Sequence, residues 1–589
     1  MILQNFITKS ISRFIFFLGI GILSPVFTPT PVIAAEKIVI VVPDININID
    51  IKEPIEIYVP GFEIKIPVES IENFAKEEEY TNEFILYSEL FKDEIEELQQ
   101  LLIKQKKDLQ QVLQQPFNLN PSIVEAFIEE PAGEEILKRL GEIIQTGKNQ
   151  NGSLAIKTAF ELTIEEPGAI TIINLLKNFP GDIYIELEEG VNLVRQLTER
   201  FVEQNRILKE LQQQAKNLES SGNKLNFNNL LDLRKSGNTR WKKKSFTFRN
   251  PNRDDTSPVD IYIPHIAGNK LIPVVIISHG LGSDRNSFVY LAEHLASYGF
   301  AVIVPEHIGS NAEKVEKIFA GFSRPVDGTE FINRPLDIKY LLDEIEKKIG
   351  SDSKWQGKLN LQQVGILGQS FGGYTALSAA GAPLSLQQLR KDCESEDSKF
   401  ILNLSLLLQC QAITLPEETI NNLGDKRIAT AIAINPVSSS IFGEKSQGIS
   451  QIKIPTMIVS STEDIFAPPI PEQIYPFINL TTPEKYLVIS KPATHFSFIA
   501  EEEETSSSIE LPKELIGPDP NLTHPYLQAL SLAFFQSYLQ NKSQSLLYLS
   551  QPYLEYLNQE PFTFSLLKFL TEEDMQKIID SFSKPVTEK

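Results

Sequence analysis

The pentapeptide GQSFG at positions 368–372 sets Ser370 between glycines in the G-x-S-x-G pattern. The apolar run 364–367 ahead of it reads as a short buried strand, and the small residues 372–380 (GGYTALSAA) behind it read as a helix. A serine on such a strand-turn-helix elbow has its hydroxyl lifted clear of the sheet, over a helix N-terminus. The turn is strained and its backbones pack closely, which is why glycines flank it. Nucleophilic catalysis by Ser370 is therefore expected. A serine nucleophile needs a base, and the chain holds only 6 His among 589 residues. His495 lies just after the apolar run 485–490 (KYLVIS), on the loop leaving a late strand, where such a chain carries its general base. The acid should come between them. The run 454–460 (IPTMIVS) reads as another strand, and Asp464 follows it, placed to orient the imidazole and stabilise its charged form.

Rivals for these roles are few. Glu463 is adjacent to Asp464 and has the same chemistry. Asn435 ends the strand AIAIN, at a second place where such enzymes carry the acid, but asparagine cannot supply the charge. His307 follows the strand 301–305 and reads as a hydrogen-bonded structural residue. His265, His294 and His524 have no partner at a ligand spacing such as H-x-x-x-H, so no metal site is visible, and two-step acyl transfer by the serine machinery needs no cofactor. The remaining histidine, His279, belongs to the loop SHGLG at 278–282, which follows the strongest β run in the chain, 274–277. A tetrahedral intermediate needs two preorganised donors aimed at the developing oxyanion. The expected donors are the N–H of Phe371, directly after the nucleophile, and the N–H of Leu281.

Residues 276–311 (IISHGLGSDRNSFVYLAEHLASYGFAVIVPEHIGSN) and 368–373 (GQSFGG) together resemble the bacterial relatives of platelet-activating-factor acetylhydrolase and, more loosely, dienelactone hydrolase. The resemblance spans about residues 245–540. It implies an α/β-hydrolase fold and a calcium-independent serine esterase or lipase acting on short or oxidised acyl chains. Two departures matter. Dienelactone hydrolases use cysteine where this chain has Ser370, and the acetylhydrolases carry their acid where this chain has Asn435. The preceding region is similar to a helical domain of unknown role found ahead of such hydrolases in cyanobacterial proteins.

The elements that must position these residues alternate. Short β runs at 245–249, 259–263, 274–277, 301–304, 364–367, 429–434, 456–459 and 486–489 are interleaved with helices, which predicts a mostly parallel eight-stranded sheet covered by helices on both faces. Ahead of it, 36–66 alternates apolar and charged residues as edge strands or a hairpin would, and 68–217 shows helical spacing. The expected domains are a signal peptide over 1–35, a mainly helical N-terminal domain over 36–219, a polar linker over 220–244, the catalytic domain over 245–545 and a helical tail over 546–589.

Within the catalytic domain, the insertion 383–426 carries Leu402, Leu404, Leu406, Leu407 and Leu408 and is a candidate lid over Ser370. Lys9 and Arg13 precede a short apolar stretch and small residues at 32–35, so export to a periplasm or beyond is expected, with no stable membrane span after signal removal and an uncleaved anchor as the alternative. In an oxidising compartment Cys393 and Cys410 are free to pair, two reduced core cysteines being the alternative. A net charge of −22 with a pI near 4.9 argues against nucleic acid as a partner. The expected substrate is a small ester or lipid. Peptidases and thioesterases share the fold. A second class of reading makes the N-terminal region the functional part, an envelope module binding a protein partner.

Overall fold

The computed structural model describes residues 34–42, 45–49, 55–59, 61–77, 131–147, 149–165, 170–186 and 203–219, a few isolated positions between them, and 227–583 with gaps at 269, 320–322, 325, 352–357, 395–402, 422, 444–446 and 501–516. The proposed signal segment up to 33, most of the helical spacing read over 78–130 and 191–202, and Leu402 lie outside the described residues.

The N-terminal unit has its own core. Strands β1 (Lys37–Val42), β4 (Phe62–Pro67), β5 (Gln145–Gly147), β6 (Gln150–Asn151) and β7 (Ile183–Glu186) form a sheet in the order β4-β1-β7-β5-β6, while β2 (Ile45–Ile49) and β3 (Ile55–Val59) pair as a separate hairpin. Helices Val68–Glu77, Pro131–Ile143 and Ser153–Glu165 accompany them. Ala35, Ile38, Val68, Leu137, Ala159 and Ile183 are buried together. The unit is thus α and β together among the described residues. Alternation foretold β1 to β4, but β5 to β7 are too short to show a period. Ala34 bridges to Pro180 and Ala35 is buried in this core, so both belong to the packed unit.

The second sheet has nine strands, in the order β16-β15-β14-β13-β12-β10-β11-β9-β8. They are β8 (Trp241–Phe248), β9 (Ser257–Pro264), β10 (Ile272–Ser278), β11 (Ala301–Pro305), β12 (Leu359–Gln369), β13 (Ile428–Ile434), β14 (Thr456–Ser461), β15 (Lys485–Lys491) and β16 (Thr563–Leu567). From β11 through β10, β12, β13 and β14 to β15 every pairing is parallel, and β9 and β16 pair antiparallel at the two sides. Parallel strands covered on both faces read as continuous apolar runs, and β10 and β11 are buried at every residue. The period of two still sorts their side chains between layers. Val275 and Ile277 pack with Leu291, Leu295, Phe534 and Phe535 on one face. Val274 and Ile276 pack with Ile338, Leu341, Leu342 and Ile345 on the other. After β10 the chain adds β11 on one side, whereas β12 to β15 grow on the other. This is a switch point, where loops at the carboxyl ends of neighbouring strands diverge and leave a crevice.

Three boundaries differ from the sequence reading. The ninth strand, β16, comes from the tail expected to be helical and pairs with β15 over Leu487–Leu567 to Lys491–Thr563. The helix Gln204–Glu219 buries Ile207, Leu208, Leu211 and Ala215 in a cluster shared with Leu567, Leu570, Met575 and Ile578, so it packs on the catalytic sheet rather than the N-terminal unit. In the expected linker, Phe227 and Leu233 are buried among residues of the same large sheet, which makes 227–240 a packed segment. Each departure has one cause: isolated apolar residues in a polar stretch do not reveal which surface they bury against.

His294, on helix Val289–Ser297, is 2 % exposed, and burial pushes its pKa down to about 4 from the ordinary 6.5. A histidine held neutral in the fold leaves stability intact above the unfolded value and withdraws it as the pH falls towards the folded one. Between pH 6.5 and 4 His294 should therefore cost the fold about 3 kcal/mol. Urea unfolding at pH 7 and pH 4.5 should show a smaller acid loss in His294→Leu than in the parent, and equal losses would contradict this account.

Candidate active site

Ser370 occupies the turn between β12 and the helix Phe371–Ala379, with φ 57° and ψ −120°. Non-glycine residues enter such a region only where surroundings over-determine it. Here its N–H donates to Ile434 O at 2.8 Å, and its carbonyl accepts from Tyr374 N at 3.0 Å. The crowding explains the flanking glycines. A Cβ on Gly368 would lie 2.0 Å from Gly372 O, and one on Gly372 would lie 2.0 Å from Ser278 O.

His495 Nδ1 lies 2.7 Å from Asp464 Oδ2, and both residues are buried. The other carboxylate oxygen of Asp464 accepts from the amides of Phe466 at 2.9 Å and Ala467 at 2.8 Å, which fixes the plane of the carboxylate. With Nδ1–H given to Asp464, Nε2 is left as an acceptor, the tautomer that a general base needs. Glu463, the neighbouring carboxylate, is exposed, and its amide donates to Ala493 O at 2.8 Å. The histidine loop is tied to the nucleophile strand through its backbone. Gln369 Nε2 donates to His495 O at 3.0 Å, and Asn435 Nδ2 reaches the same oxygen at 3.4 Å. Asn435, at φ 43°, also accepts from Ser461 N at 3.0 Å and donates to Ser461 Oγ at 3.0 Å. Its side chain clips three strand ends together.

The loop after β10 lies directly against this elbow. A Cβ on Gly280 would meet Gln369 Oε1 at 2.5 Å and Ser370 Cβ at 3.3 Å. Gly282 turns at φ 69° and its amide donates to Ser310 O at 3.0 Å. Leu281, between them, is 36 % exposed. Phe371 N belongs to the first turn of its helix, where an amide has no intrahelical acceptor.

Behind the loop is a buried polar layer. His279 Nε2 accepts from His307 N at 2.9 Å, so its Nδ1 carries the proton and donates to Gly280 O at 2.8 Å. His307 stands between Ser278 Oγ at 2.9 Å and Asp337 Oδ2 at 2.8 Å. That arrangement copies the partners of a serine triad, but His307 and Asp337 are 0 % exposed and no substrate could reach them. Burial holds both histidines below their ordinary pKa. Arg253 pairs with Glu330 at 2.7 Å and Asp337 at 2.8 Å, so the two buried carboxylates have a cation. Arg334, on the helix Glu330–Ser351, is fully buried and bonds only neutral groups: Ser310 Oγ at 2.8 Å, His279 O at 2.9 Å and Gly280 O at 3.2 Å. Burial pushes its pKa down to about 9, against the pull of Glu330 and Asp337. Pro335 follows it inside the helix. Proline lacks the N–H that would bond the carbonyl four residues back. That carbonyl belongs to Phe331, and Tyr374 Oη of the nucleophile helix donates to it instead. The missing amide therefore docks one helix on the other.

Leu281, Ser370 and Phe371 lie at the carboxyl ends of β10 and β12, beside the switch point, and Asp464 and His495 lie on the loops after β14 and β15, the latter loop reaching Gln369 through its backbone. Arg334, Asp337 and Gln369 carry no such signal in the sequence, because a charged or amide side chain in a helical or strand pattern is ordinarily solvated.

The insertion is stapled rather than loosely attached where it is described. Cys393 and Cys410 are bonded, S–S 2.01 Å, joining the helices Leu386–Glu394 and Leu404–Cys410. Leu406 and Leu408 pack partly buried against the core cluster, and Leu404 and Leu407 are half-buried. Ser405 N donates to Phe466 O at 2.9 Å, next to the acid loop. Glu472, in the π-turn Ile470–Ile474, is wholly buried and accepts from Asn403 Nδ2 at 2.7 Å, Gln409 Nε2 at 3.1 Å, Ser438 N at 2.6 Å and Ser439 N at 2.8 Å. Replacing one of its oxygens by an amino group would set donor against donor. Glu472→Gln should lower stability by about 3 kcal/mol. A urea midpoint unchanged from the parent would show these bonds to be dispensable.

Residues 52–186 match the family described as an alpha/beta hydrolase of unknown function (DUF1400), and residues 236–318 match platelet-activating factor acetylhydrolase, isoform II. The first match covers much of the N-terminal unit. The second covers β8 to β11, including the loop 278–282, and ends before Ser370. A search of curated proteins found no match. No helix among the described residues is long and apolar enough to cross a membrane. The sheet and the two matches together show the α/β-hydrolase fold, and over 236–318 the chain is similar to platelet-activating factor acetylhydrolase, isoform II.

Proposed function

We propose that the chain is a serine esterase cleaving a lipid or short-acyl carboxylic ester through an acyl-enzyme. The observation that carries this reading is the 2.7 Å contact of His495 Nδ1 with Asp464, on a loop bonded to the strand that presents Ser370. Ser370 Oγ attacks the ester carbonyl while its proton passes to His495 Nε2. The amides of Leu281 and Phe371 receive the oxyanion. Collapse expels the alcohol, which takes the proton from His495, and water then repeats the sequence to release the acid and restore Ser370. Asp464 holds the imidazolium through Nδ1. An ester substrate rather than a peptide is favoured by the acetylhydrolase match across the loop that carries Leu281. The Cys393–Cys410 bond supports export to an oxidising compartment. The insertion around it, beside Phe466, remains our candidate cover for the acyl group.

Ser370→Ala should abolish labelling by a fluorophosphonate probe and nearly all hydrolysis of acetyl and butyryl nitrophenyl esters. Asp464→Asn should cost on the order of 10⁴ in kcat. Faster turnover of peptide anilides than of any ester would replace this reading with a peptidase. Retained labelling in Ser370→Ala would move the nucleophile elsewhere.

A further inference from the structure

We infer that Arg334 is a positioning residue for the oxyanion hole, a buried cation that aims both donor amides without touching substrate. The inference rests on the esterase reading and goes beyond it, because neither the motifs nor the expected donors involve this helix.

The geometry starts from one peptide plane. The carbonyl of Gly280 and the N–H of Leu281 belong to the same peptide, which is not among the cis bonds of the chain. In a trans peptide the two dipole ends point in opposite directions. Whatever holds Gly280 O therefore sets where Leu281 N–H points. Gly280 O accepts from Arg334 Nη2 at 3.2 Å and His279 Nδ1 at 2.8 Å. Arg334 Nη1 bonds the carbonyl one residue earlier, His279 O, at 2.9 Å. Two successive peptides of the loop are thus gripped by one planar fork, whose Nε is anchored on Ser310 Oγ at 2.8 Å. Ser310 O in turn holds Gly282 N at 3.0 Å, so the far side of Leu281 is tied to the same residue.

The second donor is reached by a different contact. The guanidinium of Arg334 lies 4.5 Å from the ring centre of Phe371, whose own amide is the other expected donor. Phe331 and Tyr374 pack around that ring at 4.7 and 5.6 Å. One side chain therefore braces both donors. It is also a buried cation that bonds neutral groups and no carboxylate, since Glu330 and Asp337 are taken by Arg253. A cation donating to a peptide carbonyl polarises that peptide and makes its N–H a stronger donor. The gain is largest when negative charge develops opposite, which is in the transition state and not in the bound ester.

Lysine cannot replace the fork. It keeps the charge but offers a compact ammonium, which cannot serve Ser310, His279 O and Gly280 O together or stack on Phe371. The test uses the full-length protein and its Arg334→Lys and Ser310→Ala variants, with a nitrophenyl ester as substrate. An alkyl trifluoromethyl ketone serves as the oxyanion-forming inhibitor, and the matching methyl ketone as its ground-state control. In Arg334→Lys, kcat should fall on the order of 10²-fold with KM within about threefold. The inhibition constant of the trifluoromethyl ketone should rise by a matching factor, and that of the methyl ketone should stay put. Ser310→Ala, which loosens the anchor without removing the cation, should show the same pattern at on the order of fivefold, and it decides the matter if Arg334→Lys does not fold. Unchanged kcat, or a fall in kcat with unchanged trifluoromethyl ketone affinity, in a folded variant of an active parent would reduce Arg334 to a structural cation. A parent that hydrolyses no ester would overturn the esterase reading itself, and this inference with it.

Discussion

Three backbones pass one another at Ser370 without a side chain between them. The end of β12, the start of the nucleophile helix and the loop after β10 approach so closely that a single Cβ on Gly368 or Gly372 would overlap a carbonyl oxygen. Once this crossing is made, much else is constrained. Ser370 must take a left-handed backbone, its amide must find Ile434 O on β13, and the loop 278–282 must run alongside the serine. The crossing is affordable only in a sheet whose central strands are fixed by burial on both faces. The wholly buried β10 and β11 supply that fixity.

The same crossing explains why so much polar chemistry is buried nearby. The loop turns the carbonyls of His279 and Gly280 inward, and inward carbonyls need donors. His279, Arg334 and the Ser310 hydroxyl with its neighbours provide them. The ionic part of the layer is balanced locally: Arg253 serves Glu330 and Asp337, while Arg285 serves Asp260 and Glu306. Burying charge is costly unless each group is paired and hydrogen-bonded; these carboxylates and their two arginines are, while Arg334 is hydrogen-bonded without a carboxylate partner. Ser278, His307 and Asp337 show that triad-like bonding is no sign of catalysis by itself. Access and a strained elbow separate Ser370 from Ser278.

Legibility in the sequence followed the kind of information each residue carries. The elbow glycines, the serine, and the strand runs of β10, β12, β14 and β15 are local patterns, and they led to Ser370, Asp464, His495 and the loop of Leu281. What stayed hidden depends on distant partners. The segment Thr563–Leu567 is five residues in a tail rich in scattered apolar groups, and only its pairing with β15 makes it a strand. Arg334 looks like the polar face of an amphipathic helix until the loop carbonyls above it are seen. The helix Gln204–Glu219 carries the same pattern whether it packs on the N-terminal unit or on β16. Periodicity says that a face is buried, never against what.

Asn435 divides the holding of the histidine loop between two strands. It ends β13, and its amide satisfies both donors and acceptors at once: Ser461 N gives to its oxygen, and its nitrogen gives to Ser461 Oγ and to the carbonyls of Thr494 and His495. A carboxylate in this place would set a negative oxygen against two carbonyl oxygens and could donate to neither. An amide is the group that fits, and it holds the histidine loop by its backbone, leaving the imidazole to be oriented from another side. That side is the end of β14, one strand further out, where Asp464 meets Nδ1 while two amides hold its second oxygen. His495 is thus gripped twice, by an uncharged clip on its main chain and a charged one on its ring, and the two tasks fall to different strands.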